Sequence, residues 1–127
     1  MKRSLWLGDL IAWLILTLIG FASHGELQPT AWPRMLATFL PLLIAWFPLA
    51  YLLDLLRPPS SLSLSYLLKL SVTVVYTVSL AVLLRAAWLN SAAVPIFALV
   101  LSLTSILGMI VWRLLYFVAF KSRRALR

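Results

Sequence analysis

Asp9, His24, Glu26, Arg85 and Arg113 are the residues of this chain whose chemistry fits their surroundings least. Each is an ionisable group set in or beside an apolar run. A charge in such a run needs a partner, or it marks a polar route. The stretch Gly8–Glu26 alone holds two of the three carboxylates and the single histidine. Asp9 stands near its start, and Ser23-His24-Gly25-Glu26 closes it. Asp9 admits two readings. It is a structural acid, ion-paired or favoured by the dipole of an early helical turn, or it lines a polar path. His24 admits three. It is an interfacial residue at a helix end, where the dipole favours a positive charge. It is a proton-coupled or pH-sensing site with Glu26. Or it is the axial ligand of a bound tetrapyrrole, which needs only one histidine.

Other chemistries lack their residues. There is no Gly-rich phosphate loop, no HExxH and no GxSxG. Serines are plentiful, but one histidine serves at most one of them, and Ser23 beside His24 in sequence rarely gives triad geometry. The absence of cysteine removes disulfides, thiolate metal sites and cysteine nucleophiles together. A single histidine also argues against a dedicated zinc centre. The chain is therefore expected to be non-enzymatic and to need no metal or cofactor.

The elements that must position these groups are apolar helices. Of 127 residues, 64% are hydrophobic, and the mean hydropathy is +1.05. A soluble domain is usually about 45–50% apolar, so lipid must cover part of this chain. The expectation is an all-α, four-helix transmembrane bundle forming one integral membrane domain over residues 1–127. The spans are read at residues 5–23, 34–56, 62–87 and 94–120. Lys2-Arg3, the apolar run and Gly20-Phe21-Ala22 mimic a secretory signal. Asp9 interrupts that run early, which favours an uncleaved first span.

Several positions within the spans stand out. Asp9, Trp13, Leu16 and Gly20 share one helical face, and Gly8 and Ala12 form a small-xxx-small pair suited to close approach. Pro41 and Pro48 lie seven apart in the second span and bend it on nearly the same side. Lys69, Thr73 and Tyr76 share a face of the third span. Ser102, Ser105, Met109 and Arg113 share a side of the fourth. Trp6, Trp32 and Trp88 suit interfacial belts. Trp13, Trp46 and Trp112 lie deeper and read as packing. Trp46, Pro41 and Ser105 are the candidate packing or pocket residues.

Charge predicts the topology. The chain carries 11 Lys and Arg against 3 acids, a net charge of +8. With both termini cytoplasmic, Lys2, Arg3, Arg57, Lys69, Lys121, Arg123, Arg124 and Arg127 fall inside or at the inner boundary. Arg34 and Arg85 fall outside. That bias follows the positive-inside rule, so the expectation is N-in/C-in in the cell (plasma) membrane. The bases flank spans rather than cluster on a soluble face, which argues against a nucleic-acid partner. The basic tail should meet anionic lipid headgroups. Depth then sorts the ionisable residues. Asp9 and Arg113 lie at similar inner depth and form a candidate charge pair. Asp54, near the inner end of the second span, is an alternative partner for Arg113 or Lys69. His24, Glu26 and Arg85 form a candidate outer polar cluster.

Gly8-Asp9, the run Ile19-Gly20-Phe21-Ala22-Ser23-His24-Gly25-Glu26, Phe39-Leu40-Pro41, Ala45-Trp46, Leu84-Arg85, Phe97 and Trp112-Arg113 occur here in that order. In this pattern the chain resembles the bacterial membrane family called Domain of Unknown Function 3054. The resemblance covers nearly the whole chain and is most specific at the Ser-His-Gly-Glu stretch. It implies a four-span bacterial inner-membrane protein and no particular activity. It marks Asp9, His24, Glu26, Trp46, Arg85 and Arg113 as positions that fit the pattern. In that family a basic residue often follows the glycine of the stretch, and a second follows the Arg85 position. Here those places hold Phe21 and Ala86, so a dense outer basic cluster is not implied. Two function classes follow. One is a binding or permeation protein for a small solute or proton, acting as a homo-oligomer. The other is a non-catalytic subunit or assembly factor of a larger membrane complex.

Overall fold

The computed structural model describes residues 3–23, 25, 29–59, 61–92 and 95–125, with side chains as far as Lys121. Four helices follow one another: α1 (Arg3–Ser23), α2 (Trp32–Leu52), α3 (Leu64–Leu89) and α4 (Pro95–Ala125). A 3-10 turn, Pro29–Ala31, leads into α2. Among the described residues there is no strand. All four helices are long and apolar enough to cross a membrane. At 1.5 Å per residue the shortest reach roughly 30 Å, the thickness of the hydrocarbon core. The chain is an all-α, multi-pass membrane protein.

Local sequence sets the helix ends. Pro33 falls in the first turn of α2, where no backbone N–H is needed. Pro41 and Pro48 both lie inside α2, which runs unbroken past them. The Ser63 hydroxyl caps α3 by accepting the Tyr66 N–H at 3.2 Å. Asn90 ends α3 in the left-handed region, with φ 50°, a conformation asparagine tolerates better than most residues.

The end of α2 differs from the sequence expectation. Residues 53–56 are apolar apart from Asp54, and hydropathy alone carries the span to residue 56. The helix instead stops at Leu52. Asp54 turns left-handed, with φ 59°. Its N–H bonds the Tyr51 carbonyl at 3.2 Å, and the Leu55 N–H reaches back to the Ala50 carbonyl at 2.8 Å. These two bonds make a Schellman closure, with an aspartate where glycine is usual. The turn folds Leu55 and Leu56 back into the protein, where both are buried.

The helices form a ring in chain order. α1 packs on α2, α2 on α3, α3 on α4 and α4 on α1, with no close backbone approach across either diagonal. Trp13, Leu42, Trp46, Val74, Val78 and Met109 fill the centre. Leu7, Ile11, Leu68, Leu103 and Leu107 point outward and are exposed, as lipid-facing residues must be. Polar side chains point the other way: Asp9, Thr17, Thr73, Thr77, Ser102, Ser105 and Arg113 are all buried. Of the expected face on α3, only Thr73 turns inward. Lys69 and Tyr76 are exposed.

Candidate functional site

The Asp9 carboxylate lies about 9 Å along α1, six residues from Arg3. It is fully buried. One oxygen accepts the Trp112 indole N–H at 2.7 Å. The other accepts the Trp46 indole N–H at 2.9 Å and the Arg113 guanidinium at 2.7 Å. Arg113 is 1% exposed. Its second terminal nitrogen donates to the Leu55 carbonyl at 2.7 Å, and its guanidinium carbon lies 6.0 Å from the centre of the Trp46 ring. The acid from α1 thus gathers donors from α2 and α4, and the arginine from α4 reaches the turn after α2.

This arrangement answers the electrostatic problem of two charges in hydrocarbon. Each alone costs about 2.5–3.5 kcal/mol on insertion scales. Paired, and with three charge-assisted bonds on the carboxylate, each charge offsets the cost of the other, and of the guanidinium nitrogens only the buried Nε has no partner among the described residues. The Schellman turn matters here, because it presents the Leu55 carbonyl to Arg113. Close helix approach matters as well. A Cβ at Gly8 would run into the Trp112 ring, and a Cβ at Gly108 would come within 2.5 Å of Leu16. Glycine at both places lets α1 and α4 meet closely enough for the indole to reach Asp9.

Asp54 takes no part in this unit. Its left-handed turn carries the side chain outward, and it pairs with Arg57 at 3.2 Å instead of Arg113 or Lys69. Both partners of that pair are mostly exposed, so it adds little stability. The deep tryptophans do more than pack. Trp46 and Trp112 are hydrogen-bond donors to the buried acid, whereas Trp13 packs tilted against Trp46 at 5.7 Å. Trp32 and Trp88 are exposed at the far end of the bundle. Trp6 instead stacks on Phe47 at 4.9 Å.

The opposite end of the bundle holds open space between the described residues. Between the four helices lies a cavity of about 510 Å³, within the range of small-molecule sites. Its walls are mainly apolar, with Leu16, Phe21, Val82, Phe97 and Leu101 prominent, and Ser105 also lines it. Arg85 lies on its wall, donates from Nε to the Thr38 hydroxyl at 3.0 Å, and sits 5.1 Å from the centre of the Phe97 ring. Thr38 in turn donates to the Arg34 carbonyl at 3.0 Å. Pro41 is buried but does not line the cavity. His24 and Glu26, the other members of the expected outer cluster, lie outside the described residues.

The cavity and the ion pair are separate. Ser105 and Arg113 are eight residues apart on α4, about 12 Å along the axis. Met109, Trp13 and Trp46, all fully buried, occupy that interval. Sequence reasoning missed Thr38, Trp112 and the Leu55 carbonyl. Trp112 had a signal, since it directly precedes the one arginine deep in a span. A backbone carbonyl has none.

No curated protein and no solved structure matches the chain significantly. Residues 6–116 match the profile of one family. That match takes in the buried ion pair, its two indole donors and the whole cavity, and by it the chain belongs to the family described as Protein of unknown function (DUF3054).

Proposed function

We propose that this protein is a non-catalytic binding protein of the cell membrane, and that the cavity at the Arg85 end is its binding site. One observation carries the reading: a cavity of about 510 Å³ lies inside the ring of helices, with Arg85 on its wall. With both termini cytoplasmic, as the basic residues favour, the cavity faces the outer half of the membrane. The Asp9–Arg113 unit then closes the inner half. Permeation in this scheme requires the packed layer of Trp13, Trp46 and Met109 to move, so binding precedes any transfer.

The test is a thermal-shift screen of the purified protein against Gly20→Phe. Gly20 lines the cavity and has nothing within 4 Å of where its Cβ would stand, so a phenylalanine side chain starts in open space there and takes up cavity volume. The screen includes water-soluble metabolites and lipid extracts. A ligand at 100 times its Kd stabilises by about 2.7 kcal/mol, which the wild type should register and Gly20→Phe should not. A screen in which nothing separates the two proteins removes the reading.

A second reading rests on a different observation. Only 17% of the apolar window of α4 is buried, against 39% for each of the other three helices. An uncovered span is what a subunit or assembly factor, or one copy in a homo-oligomer, presents to a neighbouring helix. Pull-down of the tagged chain in mild detergent tests it. Purification as a homogeneous single chain would count against both forms of partner.

A further inference from the structure

The cavity's chemistry and its position narrow what it binds. This step rests on the binding reading above and names the ligand class. α1 and α4 touch from the Ser4–Tyr116 hydroxyl contact at 3.1 Å up to Leu16 against Gly108. Beyond that point they part around the cavity. On α1 the Gly20 position meets open space. On α4 the lining residues Ile96, Val100 and Thr104 are exposed. They continue the outward apolar face of Leu99, Leu103 and Leu107. The cavity therefore has a side opening, toward the surface that lipid covers.

The floor carries a second observation. Thr17, Thr38, Ser71, Thr73, Ser79 and Thr104 each satisfy their hydroxyl on the carbonyl four residues back. Ser105 does not. Its side-chain oxygen is fully buried and has no hydrogen-bond partner. Among the described residues, it is the one such orphaned atom on the cavity wall. A buried hydroxyl without a partner is costly, and native proteins supply one. A highly polar solute would leave its own groups unpaired against Leu16, Phe21 and Leu101. A pure hydrocarbon would leave Ser105 unpaired.

We propose that the cavity takes a membrane-dissolved lipophile carrying a hydrogen-bonding oxygen, a hydroxyl or carbonyl compound. It enters sideways between α1 and α4, and a shift of the wall side chains that cover Ser105 lets that oxygen reach the hydroxyl. Its hydrocarbon part lies along the apolar walls and leaves through the Gly20–Val100 gap. Ser105 selects for the oxygen, and Gly20 keeps the gap open.

The experiment is photo-crosslinking in nanodiscs of phosphatidylethanolamine and phosphatidylglycerol. The probes are a long-chain alcohol bearing a diazirine in its chain and the matching alkane without the hydroxyl. Adducts of the alcohol are expected on residues 16–21 and 100–105. Gly20→Phe should reduce them about tenfold, as blocking a largely buried site does. Ser105→Ala should reduce them about fivefold, the effect of one hydrogen bond, and should leave the alkane's adducts unchanged. Val100→Trp narrows the same gap from α4 and replaces Gly20→Phe should that variant not fold. Adducts spread evenly over Leu103, Leu107 and the rest of the outer face, and unaffected by either gap variant, would overturn the proposal. Equal labelling of wild type and Ser105→Ala by the alcohol would overturn the role of Ser105. If the thermal-shift screen meanwhile finds a water-soluble ligand, the lipophile is refuted and the binding reading survives. If that screen is also silent, both fall.

Discussion

α1 and α4 meet at one end of the bundle and part at the other, and three glycines mark the difference. Gly8 faces the Trp112 ring, and Gly108 faces Leu16. In both places a large side chain of the opposing helix fills the space that glycine leaves. Gly20, on the same helix as Gly8, faces nothing. The same residue type thus produces close contact at one end and a cavity at the other. What decides is the partner across the gap: an indole and a leucine in one case, Val100 and Thr104 at the edge of open space in the other. A small residue permits close packing but does not enforce it. The Asp9 end is also where the buried charges sit, and their bonds draw the helices together.

That comparison can be broken most severely at Asp9. Asp9→Ala leaves Arg113 buried beside a missing partner and should cost about 3–5 kcal/mol. Unfolding in mixed detergent, followed by circular dichroism, reads the loss. The milder pair Asp9→Asn and Arg113→Gln sharpens it through a double-mutant cycle. The combined variant should recover at least about 1.5 kcal/mol relative to the sum of the singles, because neither charge is then stranded. Additive singles would mean that the two ends are held by packing alone.

Trp46→Phe comes next. It keeps the aromatic body and removes one donor to a buried carboxylate, for an expected loss of about 1.5–3 kcal/mol. Gly8→Ala should cost about 1–3 kcal/mol, since a methyl group there displaces the Trp112 ring from Asp9. Near-ultraviolet circular dichroism should report that displacement. Gly20→Ala, the matching change at the open end, should alter stability by less than about 0.5 kcal/mol or improve it slightly. If the two glycine variants behave alike, the contrast between the ends is wrong.

Much of this molecule was readable in advance, for reasons that differ by residue. Hydropathy locates four spans because each must present an apolar surface to lipid wherever the chain goes. Depth along the spans brings Asp9 to the level of Arg113, but it leaves Asp54 as an alternative partner, and the choice between them needs the turn after α2. The end of α2 was not readable, because Leu53, Leu55 and Leu56 look the same in a helix as in a turn folded back into the core. Asp54 reads as an alternative partner for Arg113 or Lys69, yet a neighbour three residues away, Arg57, is within its reach. The donor roles of Trp46 and Trp112 were hidden for another reason. Deep tryptophan reads as packing unless the acid it faces is known. The cavity was least visible. It arises where two helices diverge, and divergence belongs to the pair rather than to either sequence.

The span between Asp9 and Arg113 in the chain, 104 residues, has a consequence in time. At translation rates of about 5–20 residues per second, the acid is made roughly 5–20 seconds before its partner. During that interval α1 carries an uncompensated carboxylate, and the Leu55 carbonyl waits as well. The last helix supplies the cation that satisfies both. Closure of the ring therefore waits for the last helix, and a chain without α4 leaves the Asp9 carboxylate short of its cation.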